Sequence, residues 1–148
     1  ALCGRMTMPS FEELLRASLQ GVNVRSEAAD RDLHKEVASA AQVIEKITGG
    51  KATLRLDAVH EGEPHVYALL LGQEGSFEEI LGFKLDARGY PIRAQPRAVW
   101  LLEQDAGDSG KTIGNKEELG KLFAEMASNP DSPLVVKLAF LMRRAQPQ

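Results

Sequence analysis

The sequence predicts an α+β fold: an antiparallel meander sheet of four to five strands, with two helices before it and two after it. Three observations predict it. Apolar residues recur at helical spacing in the first third and last quarter of the chain. They alternate with period two in between, and short turns separate the alternating segments. Strands gathered in the middle, not interleaved with helices, favour α+β over α/β. Short turns favour antiparallel neighbours, because parallel ones need long crossovers.

The first helix signal is Ser10-x-x-Glu13, a capping box in which the serine hydroxyl accepts from the backbone three residues on. Phe11, Leu14, Leu15 and Leu19 follow at helical spacing, and Gly21 is read as the stop of a short helix. A second, longer helix is predicted from about Glu27 to Thr48. Its apolar stripe is Leu33, Val37, Ala41, Ile44 and Ile47, its opposite face carries Arg31, Lys35, Glu36 and Glu45, and Gly49-Gly50 ends it.

The period then changes to two. Leu54, Leu56 and Ala58 alternate with Thr53, Arg55 and Asp57, which is a strand with one wet face. Glu61 to Pro64 is a turn, and His65 to Leu71 is a second strand, apolar on both faces towards its end. Phe77 to Leu85 makes the third strand. Asp86-Ala87-Arg88-Gly89 turns the chain, and Tyr90 to Ala94 returns as the fourth. Val99 to Leu102 is a fifth strand or a short helix. Asp105 to Gly114 reads as a polar, glycine-rich loop. Asn115 caps a helix with the stripe Leu119, Leu122, Phe123 and Met126. Ser132 and Pro133 suit the start of a last helix, Leu134 to Arg144, with Arg143 and Arg144 at its negative end.

The 148 residues fit one domain, expected over residues 10–148, with residues 1–9 a disordered or expression-derived N-terminus and Met6 or Met8 as the natural start. The chain is 43% hydrophobic and 26% charged, which argues against disorder throughout. The formal net charge of -3 disfavours a general nucleic-acid binder. Cys3 is the only cysteine, so no intramolecular disulfide is possible and a reducing compartment, the cytoplasm, is expected. The longest apolar run, Leu134 to Met142 with Lys137 inside it, is too short and too charged to span a bilayer.

Three clusters are candidates for chemistry. Gly110, Lys111 and Thr112 match the end of the phosphate-binding pattern G-x-x-x-x-G-K-[ST], but Asp105 stands where its first glycine belongs, and the following helix starts only after Asn115. Asp105 and Asp108 would repel phosphate, so the plainer reading is a solvated loop. Gly107 to Gly110 echoes a serine-protease nucleophile context, but no histidine lies in a matching setting. His60 and His65 flank Glu61 and Glu63 in a turn, without a third or fourth metal ligand in view, and His34 is distant. No catalytic group, metal set or cofactor site is recognisable.

Two features point to association. Arg88, Arg93 and Arg97 lie around Tyr90 and near Trp100, against seven acids and three bases between Lys51 and Asp86. Arginine with aromatics suits interfaces, or stacked bases and phosphates. The final helix leaves little room for a polar face, and Val136 and Phe140 are its candidate contact residues. The expectation is a small, non-catalytic protein-interaction module that forms a homodimer or binds another protein. The alternatives are a phosphate- or nucleotide-binding protein using Gly110-Lys111-Thr112, or a nucleic-acid-binding accessory protein using the arginine edge.

Overall fold

The computed structural model describes residues 8–60, 62, 64–95 and 110–144. Helix α1 (Phe11–Thr48) is followed by strands β1 (Thr53–His60), β2 (His65–Gln73), β3 (Ser76–Leu85), β4 (Ile92–Gln95) and β5 (Lys111–Ile113). Helices α2 (Lys116–Ser128) and α3 (Pro133–Arg144) complete the described chain. The strands form one five-stranded sheet in the order β1-β2-β3-β4-β5, with every neighbouring pair antiparallel.

The expected pair of N-terminal helices is instead one helix of 38 residues that passes through Gly21. Glycine in a helix interior costs only about 1 kcal/mol relative to alanine, and glycine typically ends a helix by turning left-handed. Gly21 does not; the left-handed cap is Gly49, at φ 63°. The apolar stripe stays in phase across the junction. Ser10 caps α1 as expected, its hydroxyl accepting from the Glu13 amide at 3.1 Å. The fifth strand is a second departure. It comes from the segment read as a loop, and Lys111, Thr112 and Ile113 pair with Ala94, Arg93 and Ile92. The Val99–Leu102 segment lies outside the described residues.

All three helices lie on the same face of the sheet. Leu54, Leu69, Leu71 and Phe83 on that face pack with Ala29, Leu33, Val37 and Ile44 of α1 in one apolar cluster. Phe123 of α2 stacks on Phe83, with ring centroids 6.3 Å apart. On α3, Leu134 and Leu141 enter the same cluster, and Lys137 reaches Glu78 of β3 at 2.9 Å. The opposite face of the sheet carries Arg55 over the Phe77 ring, 4.0 Å from its centroid.

Two tyrosines tie the sheet to the middle of α1. Tyr67 donates to Asp30, and Tyr90 donates to Asp32 at 2.8 Å. The turn after β3 abuts the same stretch of helix. At Gly89 (φ 84°) a Cβ would lie 2.4 Å from the Arg25 carbonyl oxygen, so only glycine allows this approach. Towards the N-terminus from Arg25 the sheet no longer covers the helix, and residues 11–21 are exposed on every side. With a rise of about 1.5 Å per residue, roughly 20 Å of α1 projects as an arm. Among the described residues, no helix is long and apolar enough to cross a membrane.

Candidate interaction surfaces

Gly110 immediately precedes β5, with Lys111 and Thr112 inside it. Asn115 caps α2 by accepting from the Glu118 amide at 2.9 Å, and Glu118 in turn accepts from the Gly114 amide. Lys111 is ion-paired with Glu125 of α2. A cleft of about 160 Å³ lies here, lined by Lys111, Thr112, Glu118, Lys121 and Glu125. Its two carboxylates occupy the place where an anion would need donors. The backbone runs as an edge strand, so its amides do not converge on a point as those of a phosphate-binding loop do.

The arginine edge is divided by the fold. Arg88 sits in the turn and grips Asp86, Nη2 to Oδ2 at 2.6 Å, holding the Asp86 carboxyl below the usual carboxylate range mainly through that hydrogen bond. Tyr90 turns inwards to α1. Burial, with the Asp32 bond second, pushes its phenol above the ordinary tyrosine range. Arg93 is exposed on β4, opposite Lys84 and Thr112. Arg97 and Trp100 lie outside the described residues. Of the five, the structure places Arg88 and Arg93 at the surface and commits Tyr90 to the helix.

On α3 the apolar residues divide between two faces. Leu134 and Leu141 are buried, whereas Val136 (53% exposed) and Phe140 stand one turn apart on the outside, with Lys137 over the Phe140 ring. Two of the three histidines make local contacts. His60 Nδ1 contacts the Pro64 carbonyl at 2.9 Å, and His34 meets the Tyr67 ring edge-on, 5.2 Å between centroids, beside Asp30. Among the described residues, no group of three or more His, Cys, Asp or Glu is placed to hold a metal ion.

Two apolar surfaces were missed at the sequence level. The first is the arm, where Phe11 (79% exposed), Leu14, Leu15 and Leu19 are all exposed. The second is a groove of about 470 Å³ between the C-terminal half of α1 and helices α2 and α3. Its wall on α1 is Val43 and Ile47, the latter 64% exposed. One sequence signal points to the arm. Phe11, Leu15 and Leu19 precede the buried Ala29, Leu33 and Val37 by eighteen residues each, about five helical turns. One face of one helix therefore has an uncovered half and a covered half. Neither a family model, nor a curated protein, nor a solved structure matches the chain.

Proposed function

We propose that the chain is a small non-catalytic protein-interaction module that associates with itself as a dimer. The observation that carries this reading is the uncovered apolar face of the arm, Phe11, Leu14, Leu15 and Leu19. Monomers rarely leave a large contiguous apolar patch in water, and a helical arm takes most of its stability from packing of an apolar face. Covering the stripe stabilises both the surface and the helix. Val136 and Phe140 on α3 and the exposed Arg93 add further contact surface. A reducing compartment such as the cytoplasm suits the lone Cys3. A phosphate site at Gly110, Lys111 and Thr112 has less support, because Lys111 already holds Glu125. The same holds for a nucleic-acid edge, because Arg88 already holds Asp86.

Light scattering across a dilution series tests the reading. The expected mass is twice the 16.2 kDa of one chain, falling towards that value on dilution. A strictly monomeric mass at high micromolar concentration removes the self-association.

A further inference from the structure

We infer that the projecting arm of α1 lies in the apolar groove of a second copy, which places its own arm in the groove of the first. This rests on the self-association proposed above and specifies its surfaces. The arm and the groove match in length. Phe11 to Gly21, the fully exposed stretch, is ten residue steps and Glu36 to Ile47 along the groove is eleven, about 15 and 17 Å. They also match in chemistry. The groove offers Val43, Ile47, Val135 and Leu138 as walls and Gly120 and Ala124 as a low floor, where a helix can approach closely.

The occupant is a second copy and not the chain's own arm. An arm folded back at Gly21 as a helix would extend about 15 Å alongside α1. It would stop short of Glu36, where the groove begins. Charge sets the direction of pairing. Between the arm and the groove, the strip of α1 in line with Leu14 and Val43 carries one cation, Arg25, and two carboxylates, Asp32 and Glu36. Antiparallel pairing that sets Phe11 against Ile47 brings Arg25 level with Leu33, within one residue of Asp32, which also accepts from Tyr90, and within a turn of Glu36 of the other copy. Parallel pairing in register would set like charges together. In the antiparallel arrangement Phe11 and Leu14 meet the other α1. Leu15 and Leu19, further round the arm, turn towards α2 and α3 of the other copy. The two arms exchange by a two-fold operation near Ala29, so the assembly closes as a dimer.

The test is cysteine pairing in the full chain carrying Cys3→Ser. Leu14→Cys together with Val43→Cys cannot close within one chain, because twenty-nine residues of helix separate them by about 43 Å. The double variant is expected to oxidise to a covalent dimer on a non-reducing gel, and each single variant is expected not to. Leu14→Glu is expected to weaken the dimer at least tenfold by light scattering. Arg25→Glu is expected to weaken it too, and adding Glu36→Arg to restore it, with helix content by circular dichroism unchanged throughout. A dimer that forms no such crosslink, ignores Leu14→Glu and is lost on Val136→Glu or Phe140→Glu would overturn the arm-in-groove arrangement while leaving self-association standing. A monomer at every concentration overturns both.

Discussion

Leu15 and Leu33 lie on the same line of one helix, about five turns apart, and differ only in what covers them. Leu33 is fully buried against the sheet, whereas Leu15 is 45% exposed on the arm. Truncating each to alanine therefore separates burial from every local property of the helix. Alanine is as good a helix former as leucine or slightly better, so neither change weakens α1 locally. Leu33→Ala loses the transfer free energy of the removed carbons and leaves a cavity in the apolar cluster that also contains Ala29, Val37, Leu69 and Phe83. Such changes cost about 2–5 kcal/mol; taking ~3 kcal/mol for a chain of this length lowers the melting temperature by about 6–12 °C. Leu15→Ala in the monomer is expected within about 0.5 kcal/mol of the parent, as for an exposed site. Urea and thermal unfolding followed by circular dichroism at low micromolar concentration measure both. At higher concentration the dimer adds stability through mass action, and the cost of Leu15→Ala should grow accordingly. The reasoning is refuted if Leu33→Ala costs under 1 kcal/mol. It is equally refuted if Leu15→Ala costs as much as Leu33→Ala at every concentration, because the arm would then be packed within its own chain.

Removing the Tyr90 hydroxyl in Tyr90→Phe should cost about 1 kcal/mol, since the bond to Asp32 links the sheet to α1. The folded phenol titrates above its ordinary value, so its contribution is present below about pH 10 and is lost as pH rises further; the variant lacks that alkaline component, together with the late phenolate absorbance at 295 nm. Gly89→Ala should destabilise by more than 2 kcal/mol, because it combines a left-handed backbone with a 2.4 Å approach to the Arg25 carbonyl; equal urea midpoints for variant and parent would contradict this. Equilibrium titration with ATP, GTP and inorganic phosphate should detect no micromolar binding, and RNA or DNA should bind weakly at physiological salt. Micromolar nucleotide binding lost in Lys111→Ala would transfer the function to that loop, and a salt-sensitive submicromolar complex weakened at Arg88 and Arg93 would transfer it to the arginine edge.

Period and turn chemistry are local, and that is why the sequence alone located β1 to β4, the Asn115 cap of α2 and the Ser132 start of α3. In the fold Ser132 donates to the Met126 carbonyl at 2.6 Å and accepts from the Val135 amide at 3.2 Å. The α+β class and the antiparallel meander were legible for the same reason. What was not legible depended on partners distant in sequence. Gly21 reads as a stop because glycine often ends helices, but a penalty of about 1 kcal/mol is small enough for an in-phase stripe on both sides to carry the helix through. Lys111 to Ile113 is too short to announce itself, and becomes a strand because β4 offers an unpaired edge. Phe11 and Ala29, or Leu15 and Leu33, have the same helical phase in the sequence. Only the extent of the sheet, which reaches Arg25 and goes no further, decides that one of each pair belongs to the core and the other faces solvent.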